Sequence, residues 1–548
     1  MLFRTFVTGI ILTAGAFAQM SSFPKPAYFR EAFQGAQTKV ELRDPVRLKD
    51  FVADGKLELS LKHFLELVMS NNTDVQIQLL SLEIPKNAIQ TAMGAWDPRA
   101  RSTFTTTRST NLPSSALDAL NASTISKSLN QPYSLNYTQL LPEGTSYSVQ
   151  FSGAKSSQTN SFASYNPSLT ANLNFSVTQP LLQNRGAYVN RIPLMQAQSN
   201  FKISEFQLRA QLLTLINTAE GAYWNVVAAR ENLKVQEKAR DTAAAYLKYM
   251  QQQLDLGALS PLDIYNPEAN LAAAEVAVST ARFSLAQTED ALRHQVGADL
   301  DPEVRKLAVV LTEPVDLGPS DALAVDPEDK VRKALAINPN MLSAVQKLDV
   351  DDLGIQSARN GLLPNLALNV QYTSNGRGGI YYPSSSLLGS GQAEPIPGGV
   401  ADALGQMFGF GYPTYQAGLT LTLPIRSRAA SAAMANAIVQ KRTDALTVRN
   451  QQQNIRLQIL NAVTALEGAK DQLKLAIIQR DFSQKNLDAE NEKYRLGTEI
   501  NQNVINAQQV LVQAESAVVT NQIGVRLNLL NLLTQTGELL DERGIVIK

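Results

Sequence analysis

The chain has 548 residues, enough for two to four ordinary domains, and it carries 49 basic against 49 acidic residues. That balance gives no basic footprint, so nucleic acid is not an expected partner, nor is a polyanion. Cysteine is absent and the only histidines are His63 and His294, which excludes disulfides, thiolate nucleophiles, lipidation at cysteine and nearly every zinc or haem arrangement.

At the N-terminus, Arg4 precedes an apolar run from Phe6 to Phe17, and Ala16-Phe17-Ala18 is a small-x-small site. Residues 1–18 therefore read as a secretory signal peptide, with an unacylated mature terminus at Gln19. No later stretch reaches the roughly 20 apolar residues of a membrane helix. An exported chain that enters a membrane must then do so without helices. Residues 19–56 read as an irregular arm.

From Leu57 the pattern turns helical as far as Asp97-Pro98, with a break expected at Pro85. His63 falls here as an ordinary helix-surface residue, and so does His294 near a later helix end. A second such stretch ends at Pro364. Asn72 matches Asn338 and Pro98 matches Pro364 at one constant offset, which marks the start of a duplication. The repeats span about 57–300 and 329–540, joined by a linker at 301–328 and followed by a tail at 541–548.

Segments of period two come next, and period two means strands. Tyr147, Val149 and Phe151 alternate with Ser146, Ser148 and Gln150; Leu169, Ala171, Leu173, Phe175 and Val177 alternate with Thr170, Asn172, Asn174, Ser176 and Thr178. Tyr133–Gln139, Leu366–Tyr372 and Tyr415–Leu423 behave alike, and Arg99–Arg108 is a weaker candidate. Strands are thus expected at about 99–180 and 364–425. The polar face is almost uncharged. That suits an outer-membrane barrel wall, apolar outside and polar inside, and it equally suits a soluble sandwich with Thr-rich faces. Ser374–Pro413, with its paired glycines, reads as a long extracellular loop.

Each strand set is followed by a very long helix. In the first, Leu208, Leu212, Leu215, Ala219, Ala222, Val226, Ala229 and Leu233 keep heptad spacing; in the second, Ile455, Ile459, Ala462, Leu466, Ala469, Leu473 and Ala476 do. The returning helices step by seven through Val278, Leu285, Leu292 and through Val504, Leu511, Val518, Val525, Leu532. Heptads sustained this long mean coiled coil, placed at 191–297 and 429–537. Between outgoing and returning helices stand "LGALSPLDIYNPEANLAAAEVAV" from Leu256 and "LGTEINQNVINAQQVLVQAESAV" from Leu496, 240 positions apart. Gly257 and Gly497 read as C-terminal cap glycines, and Ser260-Pro261 as a helix restart. Each is the tip of a helical hairpin.

The doubled order of helix, strands, long helix, tip and returning helix resembles the TolC-like outer-membrane efflux protein family over nearly the whole chain. The residues that carry it are "VTQPL" at Val177–Leu181, "LTLPI" at Leu421–Ile425, the two tips, and the helix ends at Gly297 and Gly537. The resemblance implies an α+β membrane protein whose duplicated long coiled-coil helices and transmembrane β-strands form a trimeric β-barrel continued by a periplasmic α-helical tunnel. It implies a homotrimer in outer-membrane lipid, working with a periplasmic adaptor and an inner-membrane pump in efflux or type I secretion. It implies no catalytic, cofactor-binding or metal site. Adaptor contact then falls to Leu256, Gly257, Ala258, Leu496, Gly497 and Thr498, and the periplasmic aperture to Asp263, Asn266, Asn503 and Asn506. Rival readings are a trimeric coiled-coil surface adhesin, which lacks strand pairs in both halves, and a periplasmic adaptor, which has one hairpin rather than two.

Three departures from the family pattern stand out. No cysteine is available for lipidation. Pro267 lies one turn into the first returning helix, where its ring would clash with the carbonyl of Asp263. Tyr133–Leu140 and Thr145–Gly153 form an additional hairpin, raising the expected count from four strands per protomer to six. Where some relatives carry two aspartates three residues apart, this chain has Asn503 and Asn506, so an aperture that is weakly cation-selective and poorly blocked by multivalent cations is expected; the alternative is that the two residues only cap the returning helix.

Overall fold

The computed structural model describes residues 52–53, 56–112, 125–159, 163–257, 260–297, 308–313, 325–383 and 394–545. The signal-peptide reading and most of the arm lie outside them. Strands β1 (Val52–Ala53) and β2 (Lys56–Leu59) precede helices α1 (Leu61–Asn71), α2 (Thr73–Ser81) and α3 (Glu83–Met93). The break falls at Leu82, three residues before Pro85, which sits in the first turn of α3, where its missing N–H costs nothing.

Strands β3 (Arg99–Phe104), β4 (Thr107–Asn111), β5 (Ser126–Leu140), β6 (Ser146–Gln158) and β7 (Tyr165–Pro180) follow. The chain then enters α4 (Ala187–Asp255), turns, and returns along α5 (Tyr265–Gln295). A short strand, β8 (Ala308–Leu311), lies in the linker and pairs in parallel with β2. The second repeat gives α6 (Pro327–Ile337), α7 (Pro339–Gly361), β9 (Asn365–Tyr381), α8 (Val400–Phe408), β10 (Pro413–Thr422), α9 (Arg428–Arg495), α10 (Asn501–Thr536) and α11 (Leu539–Glu542).

The large sheet runs β10-β9-β7-β6-β5-β3, with β4 also on β5. β3 and β4 occupy one position, interrupted at Thr105-Thr106, so the sheet has six positions. The additional hairpin is built into it: β6 pairs β5 on one side and β7 on the other, all antiparallel. Residues opposite one another share a face, so the register puts Tyr147, Val149 and Phe151 beside Val177, Phe175 and Leu173. Ser146, Ser148 and Gln150 take the other face. The two halves join where β7 pairs β9, and Phe175 meets Tyr372 with ring centroids 6.3 Å apart.

Ser374–Pro413 is a correction. Its first residues continue β9 to Tyr381, and residues 400–408 form a helix rather than loop. Helix α8 lies on the apolar side of the wall, where Ala403 and Met407 bury against Ala171. The glycines make this possible. A Cβ on Gly376 would stand 1.9 Å from the carbonyl oxygen of Ala403, and one on Gly378 would stand 2.1 Å from that of Gly399. What reads as loop composition is a notch for a helix backbone.

The helical seams follow the heptads. Ile455, Ile459, Ala462, Leu466, Ala469, Leu473 and Ala476 of α9 are all buried, as are Val504, Leu511, Val518, Val525 and Leu532 of α10. In α4, Leu208, Leu212, Ala219 and Val226 are buried with Tyr223 and Trp224. A ~69-residue helix would be about 100 Å long, far beyond what propensity alone holds. Packing against its partners does that.

The constant offset at Asn72 and Asn338 has a physical reason. Asn72 caps α2 by accepting from Asp74 and Val75, and its amide donates to the carbonyl of Gln295 at 2.9 Å. Asn338 caps α7 through Asn340 and Met341 and donates to the carbonyl of Gln535 at 2.9 Å. Each clamps the start of one helix to the end of a returning one. Replacing Asn338 by Ala is expected to cost about 2 kcal/mol, from a lost cap and an orphaned, part-buried carbonyl. A thermal melt followed by circular dichroism checks it; an unchanged midpoint would sink the clamp.

A second buried polar group sits where α7 crosses α9. Burial, followed by the neighbouring charge of Asp444, pushes the carboxyl of Asp351 up to about 6. Asp444 is held below its ordinary value: burial opposes this, but hydrogen bonds from Gln440 and Lys347 outweigh it. An acid raised in the folded state binds its proton more tightly there than in the unfolded chain. Its contribution is therefore full below about pH 4 and is lost as pH rises through about 6. Asp351→Asn is expected to raise the melting temperature at pH 7.5 and to flatten its fall between pH 4 and 6. Equal shifts for wild type and variant across that range would contradict it.

Candidate functional site: the hairpin tips

The first tip begins where α4 ends. Leu256 is followed by Gly257 at φ +73°, whose N–H donates to the carbonyl of Leu254 at 2.9 Å. Only glycine adopts that conformation without strain. The second tip repeats it: Gly497 also has φ +73°, its N–H donates to Tyr494, and the Thr498 N–H and hydroxyl both donate to the carbonyl of Lys493. Ala258 lies outside the described residues. Leu256 and Leu496 are 78% and 64% exposed, and Leu262, Tyr265 and Ile500 beside them are exposed as well. Apolar side chains grouped at a helix end, in water, suit a protein partner.

The first returning segment restarts as expected. Ser260 accepts from the N–H of Leu262, while Asp263 accepts from the N–H of Ser260 at 3.3 Å, with Pro261 in the first position. A 3-10 turn over Pro261–Ile264 precedes α5, and Pro267 is the third residue of that helix. The proline leaves the Asp263 carbonyl without its helical donor. Asn501 supplies one: its amide donates to that carbonyl at 3.0 Å and ties the two tips together. The clash foreseen at Pro267 falls where a 3-10 turn gives way to the α-helix, and sequence reasoning missed Asn501. A carbonyl freed by proline takes its donor from water or from a side chain, and Pro267 was the available signal.

Asp263, Asn266, Asn503 and Asn506 lie on these two restarting turns. Asn503 does not cap α10; its amide donates to Glu499 at 2.5 Å. Asn506 accepts from Gln502 at 3.0 Å. Glu499 is a second tip carboxylate that the sequence reading passed over. Below the tips, Tyr246, Met250, Leu487, Val504 and Leu511 form a small core between the hairpins. A groove of about 480 Å³ opens beside it, lined by Ala243, Ala273, Ala277, Asn270 and Gln508 among others. The alanines of the seam leave this space. Burial pushes the phenol of Tyr246 up, and that of Tyr494, which packs on it edge-on at 6.4 Å, rises too, again chiefly through burial.

Comparison with known proteins decides what these parts belong to. The family model described as "Outer membrane efflux protein" matches residues 115–298 and 331–538, the two repeats. The chain belongs to that family. Its members are outer-membrane channel proteins, and this chain is an outer-membrane protein with a periplasmic extension, as the sequence implied. Among relatives, the probable efflux pump outer membrane protein TtgC of Pseudomonas putida is 21% identical over 346 residues, 62% of this chain and 64% of that protein. The match thus spans somewhat under two thirds of the relative's length. Among solved structures, the CusC channel has a TM-score of 0.61 at 13% identity, covering 90% of this chain and 97% of that one. The CmeC outer membrane channel of Campylobacter jejuni has 0.58 at 16%, covering 92% and 91%. At such identities these show the fold: long helical hairpins beneath a strand wall. The adhesin and adaptor readings find no support in the family match.

Among the described residues no helix is long and apolar enough to cross a membrane. The wall is the strand sheet. A strand wall in a bilayer turns its apolar face to lipid, because hydrocarbon cannot satisfy polar groups.

Proposed function

We propose that the chain is the outer-membrane channel of a tripartite efflux system, a homotrimer that passes small molecules from periplasm to exterior and does no chemistry itself. The observation that carries this is a six-position sheet with one partnerless edge at β10 and the other at β3 and β4, among the described residues. Exposed strand edges inside a bilayer must be paired, and pairing β10 of one copy with the β3–β4 edge of the next closes the wall. Three copies of six positions make eighteen strands, in the range that leaves an aqueous lumen rather than one packed with side chains. The lumen face, with Ser148, Asn174, Ser176 and Thr178, is polar, and its charges in the strands are Arg99, Arg101 and Arg377 among the described residues.

The tips would face the periplasm. Leu256, Gly257, Leu496, Gly497 and Thr498, with Ala258, would contact a periplasmic adaptor, which connects the channel to an inner-membrane pump. Asp263, Asn266, Asn503 and Asn506 would line the entrance, joined by Glu499. Small molecules are favoured over secreted proteins because the relative TtgC is described as an efflux pump component.

The test is copurification of the cognate adaptor with the tagged channel, together with unheated gel electrophoresis. Wild type is expected to run as a trimer and to bring the adaptor with it. Leu256→Glu/Leu496→Glu should keep the trimer and lose the adaptor. A monomeric wild type, or a double variant that still binds the adaptor, would contradict the assignment.

A further inference from the structure

The register assigns each wall residue to one side, so charges can be placed without reference to rotamers. On the apolar side one cross-strand row reads Phe104, Tyr133, Gly153, Ala171. This is the last row there with aromatic side chains on β3 and β5, and Tyr133 packs on Phe151 at 5.6 Å. Aromatic girdles of this kind mark the edge of the hydrocarbon. Two residues further along, Lys155 stands opposite Gln131 and Leu169. The next row holds Arg108 opposite Leu129, and the one after it Lys127 opposite Thr110. Three cations therefore lie on the lipid side, all beyond the girdle.

The other side differs over the same length. It presents Ser128, Asn130, Ala154, Ser156 and Thr170, with a single charge, Arg377, opposite Thr170. The cations are not the ordinary decoration of a strand end that leaves the membrane. They are on one face, and all three are exposed. Among the described residues none of the three is in an ion pair or a ring contact.

Their height follows from strand geometry. At about 3.3 Å per residue and a tilt of about 40°, Lys155 rises about 5 Å above the girdle row, Arg108 about 10 Å and Lys127 about 15 Å. The headgroup layer occupies roughly 5–7 Å beyond each edge of the hydrocarbon, and a sugar-bearing headgroup extends further. Lys155 and Arg108 are two strands and one row apart, about 12 Å between Cα atoms. That span, with side chains reaching inwards, suits two phosphates carried on one disaccharide. Lysine and arginine near a membrane surface recognise lipid phosphates by charge-assisted hydrogen bonds.

We propose that Arg108, Lys127 and Lys155 form a binding site on the outer surface of the wall for the bis-phosphorylated disaccharide headgroup of an outer-leaflet glycolipid. The acyl chains continue down the same face, over Leu135 and Tyr133 beside α8, so headgroup and tail sites form one surface. The inference rests on the apolar face being the lipid-facing one. The site would anchor a shell of ordered lipid around the channel at three places per trimer.

The test uses the full-length protein in detergent, titrated with bis-phosphorylated lipid A and followed by native mass spectrometry. Fully dephosphorylated lipid A, phosphatidylglycerol and inorganic phosphate are the comparison probes. Wild type is expected to bind the bis-phosphorylated lipid about tenfold or more tightly than the dephosphorylated form. Arg108→Ser/Lys127→Ser/Lys155→Ser should lose that preference, while Arg99→Ser/Arg101→Ser, on the polar side of the same edge, should keep it. Equal binding of both lipids by wild type would overturn the site, and so would a preference retained by the triple variant. Phosphatidylglycerol bound as tightly as lipid A would overturn the glycolipid assignment; displacement by millimolar phosphate would mean an ion site only. The melting temperature of each variant shows that it is folded. Should wild type fail these arms while remaining in the outer-membrane fraction, the lipid site alone falls; if it leaves that fraction, the barrel reading falls.

Discussion

Arg543→Ala is expected to destabilise the protein by about 3–5 kcal/mol, the largest single effect foreseen for the helical part. Glu220 is 1% exposed, deep in α4, and Arg543 reaches it with two hydrogen bonds, at 2.9 Å from Nε and 2.5 Å from Nη2. Trp224 donates to the same carboxylate at 3.3 Å. Removing the guanidinium leaves a charge in an apolar core among Leu540, Leu539 and Tyr223. The cost is mainly that of the stranded carboxylate, so Arg543→Met/Glu220→Leu should recover most of it. Urea unfolding followed by helix signal measures both. A single variant within about 1 kcal/mol of wild type, or a double variant no better than the single, would contradict this account of the pair.

The second large effect concerns current through the entrance. Asp263 and Glu499 give two tip carboxylates per protomer where the sequence alone had offered one. Asn503→Asp/Asn506→Asp would raise the total to four, and the first of these changes would set a new carboxylate against Glu499, which Asn503 now holds by a hydrogen bond. At an effective dielectric constant near 20, unit charges about 8 Å apart still interact by roughly 2 kcal/mol, so a trivalent cation gains strongly from each added acid. The double variant is expected to be blocked from the periplasmic side at roughly tenfold lower trivalent-cation concentration, and to be more cation-selective. Planar-bilayer recordings decide it. If neither selectivity nor block changes, these positions do not line the aperture.

The parts that were legible in the sequence are those built on a local period. The seam of α9 could be written out from Ile455 to Ala476, because a heptad is a property of one helix and its buried side. Alternation did the same for Tyr147–Phe151, and glycine with serine-proline marked the tips. What was hidden depends on contacts distant in sequence. The β2–β8 pairing joins residues some 250 positions apart and has no local signature. The same holds for Arg543 and Glu220, separated by 323 positions. Helix α8 was read as loop because glycines usually mean turns, whereas Gly376 and Gly378 here clear space for a helix that crosses over them. Among the tip residues, the two glycines and Ser260 were legible as cap chemistry. Asn501 and Glu499 were not, since their roles arise from the meeting of two hairpins and of two turns.

The number of strands proposed for the closed wall follows from the least local feature of all, the position of the additional hairpin. Because β6 is hydrogen-bonded to β7 and β5 to β3 and β4, that hairpin cannot leave the wall without breaking both of those ladders. Electron cryo-microscopy of the purified protein in lipid nanodiscs tests this most directly. The account predicts three copies around one axis and eighteen strands, with β10 of each copy paired to the β3–β4 edge of the next. A wall of twelve strands with β5 and β6 outside it, or a sheet left open at β10, would contradict it.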